Sequence, residues 1–269
     1  MKYRLGALYR RSANSPLRRL YFSWLKHIRG VFHKRQSVQF VSINGKRYKR
    51  LELGDSFEAV QLEQALEALA DRTLFPPLIH RNENQLLFGF IDGRPLDPQR
   101  ADDLESMLRF FTTLYRSDAS MQDPQRALGR LINDLAFLFD TGLIDVDLQQ
   151  ALAERAHAVC PNALVAGLDY IDPVAKNFVV TGEGVCAIDV ESLHDAVPLG
   201  TGIAKAGLHW LDRDQQQLWL TRLDPQGTAG LRDQFAFVEL VFRTGWTKRK
   251  LLQGKHHRIR IELLRELLD

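Results

Sequence analysis

The chain has 269 residues, 45% of them hydrophobic, and a formal net charge of +3. That length admits one domain or two lobes around a substantial core, and no apolar run approaches the eighteen or so residues that span a membrane. The two cysteines, Cys160 and Cys186, form neither a disulfide framework nor a zinc spacing. This predicts a reduced, cytoplasmic chain. The basic N-terminus lacks the apolar stretch of a secretory signal.

The small net charge hides an asymmetry. Residues 1–51 carry 14 Lys or Arg and no acid, residues 52–240 carry 14 against 30 acids, and residues 241–269 carry 8 against 3. Basic ends of this kind attract anionic lipid headgroups, phosphorylated glycans or nucleic acid.

In chain order, residues 1–35 form a basic segment. Within it Leu17, Leu20, Tyr21, Trp24, Leu25 and Ile28 recur at helical spacing between Pro16 and Phe32. Arg18, Arg19, Lys26 and Arg29 fall mainly off that stripe. The pattern fits a helix lying on an anionic membrane, and equally a helix packed on the domain with a solvated basic face. Val38–Ile43, Asn44-Gly45 and Lys46–Leu53 read as a hairpin, because Asn-Gly is a strong turn signal. Ser56 is placed to cap a helix running to about Ala70, which Pro76-Pro77 closes off. Leu86–Phe90 reads as a strand and Asp92-Gly93-Arg94-Pro95 as a turn. Further helices are expected over 101–117, 123–140, 145–159, 200–211, 213–222, 229–243 and 258–268.

The stretch that carries chemistry is Tyr170-Ile171-Asp172-Pro173-Val174-Ala175-Lys176-Asn177-Phe178-Val179-Val180, followed by Ala187-Ile188-Asp189-Val190-Glu191. An Asp with an Asn five residues later is unremarkable, since chance alone predicts about half such a pair in this chain. Its flanks carry the meaning. Asn177 opens an apolar run, Thr181-Gly182-Glu183-Gly184 supplies a turn, and Val185–Ile188 reads as a returning strand that ends at Asp189. Phosphoryl transfer needs a carboxylate that accepts the proton of the attacking hydroxyl, and an amide and a second carboxylate that hold magnesium.

This segment resembles the catalytic loop and metal-binding strand of the protein-kinase-like superfamily, especially its bacterial small-molecule branch. Asp-Pro-x-x-x-Asn-Phe also resembles the lipopolysaccharide core heptose kinases. The resemblance implies Asp172 as the base, Asn177 as a metal and loop ligand, and Asp189 as the principal magnesium ligand. Tyr170 stands where the family has His, and Glu191 where eukaryotic protein kinases have Gly. The order of hairpin, helix, strand and Gly-Arg-Pro-Leu resembles the small lobe and hinge of the same folds, which implies Gly89, Phe90 and Ile91 at the nucleotide.

A kinase-like site also needs a cation on the phosphates and a carboxylate to hold it. Lys49 on the second strand and Glu63 on the following helix are the chosen pair. Lys46 and Arg50 compete for the first role, Glu58 and Glu67 for the second. No Gly-x-Gly-x-x-Gly precedes the hairpin and no P-loop motif occurs. Gly200-Thr201-Gly202 reads as a helix start, and His256-His257, among cations, as solvated surface.

The expected fold is therefore α+β and bilobal, with a small nucleotide-binding lobe at 36–92 and a helical lobe with the catalytic loop at 93–269. The expected activity is ATP- and Mg2+-dependent phosphorylation of a sugar hydroxyl. The favoured acceptor is an anionic lipid-linked glycan such as lipopolysaccharide core, met by a chain that is peripheral at the inner face of the membrane through residues 1–35. A kinase of a soluble small molecule and a catalytically weak pseudokinase are the alternatives. A nucleic-acid partner accounts for neither the acidic middle nor the Asp loop.

Overall fold

A computed structural model describes residues 37–227 and 230–268, so the basic segment and its expected helix lie outside the described residues. The chain divides into two compact units. One is built from Lys34–Gln122 and Val165–Arg232, and the other takes in Asp123–Leu164 and Asp233–Asp269.

The first unit opens with the expected hairpin, β1 (Ser37–Ile43) and β2 (Lys46–Glu52). Asn44 and Gly45 both take positive φ, 52° and 76°, as a two-residue turn matched to strand twist requires. The sheet has the order β1-β2-β4-β3, with β3 at Leu78–Asn82 and β4 at Gln85–Gly89, all antiparallel. Helix α1 (Ser56–Glu67) lies between β2 and β3 in the chain and buries Ala59, Leu62, Ala65 and Leu66. Its cap is Asp55, whose carboxylate accepts the Glu58 N–H at 2.9 Å, and not Ser56 as expected. A carboxylate accepts this bond more strongly and also meets the positive end of the helix dipole.

The chain leaves the sheet through β5 (Arg94–Pro95), which pairs with β8 (Phe178–Val180). The approach is close. A Cβ on Gly93 would lie 2.4 Å from Val179 Cγ1 and 2.5 Å from the Val180 carbonyl oxygen. Arg94 closes the junction by gripping Asp103 of α2 (Ala101–Leu114) through both guanidinium nitrogens, one of them at 2.6 Å. Asp103 is 1% exposed, and the Arg94 guanidinium holds its pKa down to about 2.

A three-stranded sheet of order β10-β7-β6 follows, with β6 at Ala119–Gln122, β7 at Leu164–Tyr170 and β10 at Leu193–Pro198. Strand β9 (Val185–Ala187) returns against β8. Helix α5 (Thr201–Ala206) is much shorter than the expected 200–211, and α6 (Arg213–Leu223) matches expectation closely. Phe75, Phe110, Tyr170 and Phe178 form a packed aromatic group, with Tyr170–Phe178 centroids 5.1 Å apart and Phe110–Phe178 5.4 Å apart.

The second unit is helical. Helices α3 (Gln125–Asp140), α4 (Val146–Ala158) and most of α7 (Leu231–Leu252), with α8 (Glu262–Arg265), share a core that includes Leu131, Leu138, Leu152, Phe237 and Leu264. Helix α7 continues to Leu252, beyond the expected end near 243. His256 and His257 lie in an exposed 3-10 turn, as expected of solvated surface.

Candidate active site

All the candidate groups stand on the first unit, and local backbone bonds set their positions. Strand β7 ends at Tyr170, and the Ile171 N–H donates to the Ser192 carbonyl at 3.0 Å. A 3-10 turn at Ala175–Asn177 then reverses the chain into β8. The β8–β9 hairpin, closed by Thr181 and Gly184, brings the chain back so that the Ile188 N–H donates to the Asn177 carbonyl at 2.8 Å. That bond puts Asp189 beside Asn177.

The Asn177 amide lies between the two carboxylates. Its Nδ2 donates to the Asp172 carbonyl at 2.9 Å and lies 3.4 Å from both Asp172 Oδ2 and Asp189 Oδ2. The Ser192 hydroxyl donates to Asp189 Oδ2 at 3.0 Å. Tyr170 is fully buried, and its hydroxyl donates to the Asp189 carbonyl at 3.2 Å. It is thus an aromatic core residue that also braces the backbone at Asp189. The sequence brings Asp172, Asn177 and Asp189 together as expected.

The small-sheet pair differs from expectation. Lys49 Nζ donates to the Ile188 carbonyl at 2.7 Å and pairs with Glu191 at 3.3 Å. Glu63 instead pairs with Arg81 of β3. Arg81, opposite Leu86 on the edge strand β3, occupies the Glu63 carboxylate, while the Lys49 ammonium is engaged at Ile188 and Glu191. Arg50 points to the other sheet face, where it meets Gln39. Glu58 turns back to accept the Gly54 N–H, and Lys46 is exposed.

At the hinge the Gly89 N–H is already donated to the Pro77 carbonyl at 2.9 Å. Phe90 stands 5.9 Å from Phe40, with the Arg47 guanidinium 4.0 Å from its ring centroid. Phe40 is 69% exposed and directly opposite Lys49 in register, so both present to one sheet face. Ile91 lines a cavity of about 970 Å3 with Phe75, Pro77, Arg109, Phe110 and Val185, and none of Lys49, Asp172, Asn177 or Asp189 reaches it. This cavity and the candidate chemistry are therefore separate places.

The sequence pattern marks neither Lys205 nor Asp169. Lys205 of α5 lies 3.2 Å from Asp172 Oδ1, with a side chain 12% exposed. Asp169 is fully buried. It accepts the Tyr115 hydroxyl at 3.1 Å and the Gly202 N–H at 3.0 Å, while the Gly200 N–H donates to the Tyr115 oxygen at 3.1 Å. This knot fastens the start of α5 to β7. Burial pushes the Asp169 carboxyl up to about 6, against the hydrogen bonds that pull it down. Gly200 takes φ 97° at the helix start, as the Gly-Thr-Gly reading anticipated.

A magnesium ion takes oxygen ligands and keeps water or phosphate oxygens around it, so one or two carboxylates suffice. Among the described residues no cluster of three or more His, Cys, Asp and Glu is assembled for a metal. Asp189 fits such an ion. Burial first, and then the Glu191 charge, raises its pKa, and a divalent cation offsets both effects. Three residues earlier in the chain, Cys186 of β9 is 4% exposed, and burial pushes its thiol up to about 12.

No family model matches the chain, and no curated protein sequence is significantly similar to it. Solved structures are similar in fold. A choline kinase from Streptococcus pneumoniae superimposes with a TM-score of 0.57 at 13% identity, over 91% of this chain and 96% of that one. The fold is protein-kinase-like. An aminoglycoside phosphotransferase in ternary complex with ADP and hygromycin B gives 0.57 at 14% identity, covering 90% and 97%. A choline/ethanolamine kinase family protein from Mesorhizobium loti gives 0.56 at 16%, covering 92% and 91%. The kinase-like fold thus extends over nearly the whole chain. Among the described residues no helix is long and apolar enough to cross a membrane.

Proposed function

We propose that the chain is a kinase that transfers the γ-phosphoryl group of ATP to a hydroxyl. The observation that carries this reading is the Asn177 amide set between the Asp172 and Asp189 carboxylates, with Lys49 anchored one residue before Asp189. Asp172 is 40% exposed and open to an acceptor. In the proposed step the acceptor oxygen bonds to the γ-phosphorus and its proton goes to Asp172. The bond from that phosphorus to the bridging oxygen breaks, and ADP leaves with the electron pair. Lys49, steered by Glu191, meets the nucleotide phosphates, and the face holding Phe40 and Phe90 meets the base. Asp189 and the Asn177 amide oxygen would hold Mg2+, which on binding neutralises phosphate charge.

Similar folds occur in proteins named as choline kinases and aminoglycoside phosphotransferases, one of them bound to ADP, which supports ATP as donor and a hydroxyl as acceptor. For the acceptor we favour a sugar hydroxyl on an anionic lipid-linked glycan such as lipopolysaccharide core. The fourteen cations of residues 1–51 motivate that choice and a peripheral seat on the membrane. Co-sedimentation with anionic vesicles at low salt, lost as salt rises, is the expected mark of that seat. Vesicle binding indifferent to salt removes it.

The test of the kinase is ATP binding by calorimetry with and without Mg2+, followed by turnover on fractionated envelope glycolipid and on soluble metabolites. Asp172→Asn should keep nucleotide affinity and lose turnover by about 10²–10⁴-fold. Binding without turnover on any fraction favours the pseudokinase.

A further inference from the structure

Resting on the kinase reading, we infer that Lys205 and Trp210 form the acceptor subsite, and that the acceptor is a ring hydroxyl carrying a nearby negative charge, not a cationic alcohol. Two contacts carry this. Lys205 Nζ is 3.2 Å from Asp172 Oδ1, and the Trp210 indole N–H donates to the carbonyl of Pro173, the next residue, at 2.7 Å. An amine on the Asp172 carboxylate and an aromatic ring on the neighbouring backbone carbonyl are therefore both fixed beside the base.

Their surroundings keep them there. Lys205 rises from α5, whose start is fastened to β7 by the Asp169, Tyr115, Gly200 and Gly202 knot. Trp210 meets Trp219 with ring centroids 5.6 Å apart at 66°, yet remains partly exposed. The Asp172 side chain is 40% exposed against 12% for Lys205, so an acceptor reaches the carboxylate from solvent and finds the ammonium behind it.

The consequence for substrate class is electrostatic. A hydroxyl within hydrogen-bond reach of Asp172 lies within about 6 Å of the Lys205 ammonium. One side of Asp172 is already engaged by that ammonium, and the other faces the Asn177 amide. An acceptor bearing an amine or quaternary ammonium close to its hydroxyl meets like charge. One bearing a carboxylate or phosphate gains an ion pair. The indole alone would welcome a cation as readily as a sugar face. Like charge at this range in a partly desolvated site outweighs one exposed cation–π contact.

The test uses one ring in three charge states: glucosamine, glucose and glucuronate. Their binding to the full chain is followed by indole fluorescence and by calorimetry, with and without a non-hydrolysable ATP analogue. Glucuronate should bind at least tenfold more tightly than glucosamine. Lys205→Met should abolish that preference, Lys205→Arg should retain it, and Lys205→Glu should reverse it. Trp210→Ala should weaken all three sugars alike and remove most of the fluorescence response. Equal binding of the charged sugars, no binding of any, or a preference unchanged in Lys205→Met overturns the subsite. Analogue binding, read in the same samples, fails separately if the kinase reading is at fault.

Discussion

Lys49 is held by Glu191, two residues beyond Asp189, and not by a carboxylate of helix α1. The ammonium joins β2 to the segment that follows β9 through contacts of 2.7 Å to the Ile188 carbonyl and 3.3 Å to Glu191. The pair is largely shielded, with side chains 10% and 18% exposed. Single changes of Lys49 or Glu191 to Ala should each weaken nucleotide binding, and the double mutant should cost much less than their sum, with a coupling of about 1–3 kcal/mol. Glu63→Ala should leave nucleotide affinity alone and lower stability by no more than about 1 kcal/mol, because its pair with Arg81 is partly exposed. Calorimetry and denaturant titration read the two effects apart. A Glu63 effect on nucleotide binding comparable to that of Glu191 would reject the assignment.

Asp189 should carry the metal dependence. Asp189→Ala is expected to weaken ATP binding more in the presence of Mg2+ than in its absence. The carboxyl is held above its ordinary pKa by burial and by Glu191, so at mildly acidic pH a proton competes with the metal. Mg2+-dependent affinity should therefore rise with pH through the weakly acidic range, and the rise should flatten in Asp189→Ala. A pH-independent metal effect in the wild type counts against this role.

Asp169 predicts a stability change of the opposite sign from an ordinary salt-bridged carboxylate. Burial lifts its folded pKa to about 6 from an ordinary 3.8, so the native state binds the extra proton between those values. Its contribution to stability is greatest below about pH 4 and is lost as pH rises to about 6. The loss is about 3 kcal/mol relative to Asp169→Asn. Denaturant midpoints of the two proteins across this range should diverge in that direction. Parallel curves would show that the carboxyl does not titrate there.

Gly202→Ala should strike α5 and the catalytic loop together. The new Cβ would lie 2.4 Å from the Tyr170 carbonyl oxygen, 2.8 Å from Asp169 Oδ1 and 2.9 Å from Phe111 Cε1. Overpacking of this kind costs about 1–3 kcal/mol. Gly129→Ala, where nothing lies within 4 Å of the added carbon, is the matched control and should be neutral to stabilising in its helix. Thermal melts that do not separate the two variants would refute the close approach.

The hairpin at Asn44-Gly45, the β8–β9 turn, and the convergence of Asp172, Asn177 and Asp189 were legible because each depends on residues close in sequence. The partner of Lys49 was not. The sequence leaves Glu58, Glu63 and Glu67 open, and only the long-range contacts that give Arg81 to Glu63 and Glu191 to Lys49 decide the matter. Strands β3, β6, β7 and β10 carry no clear sequence signal for a related reason. Leu164-Val165-Ala166-Gly167-Leu168 is a short apolar run without period-2 alternation, so periodicity carries no signal in it. Lys205 and Trp210 reach the site through the Asp169 knot, which joins residues more than thirty positions apart and has no local sequence mark.

The burial of Cys186 gives the site a chemical clock. Its thiol sits on β9 opposite Val179, two residues before Ile188, and is held near pKa 12. At neutral pH the thiolate fraction of such a group is about 10⁻⁵, too small for appreciable alkylation in the closed state. Modification of Cys186 by a maleimide therefore waits on an opening of the β8–β9 hairpin, whose two ends adjoin Asn177 and Asp189. Cys160, half-buried on the other unit, serves as the internal standard. The ratio of the two labelling rates, taken with and without nucleotide, measures how often the β8–β9 hairpin comes apart and how far a bound ligand slows it.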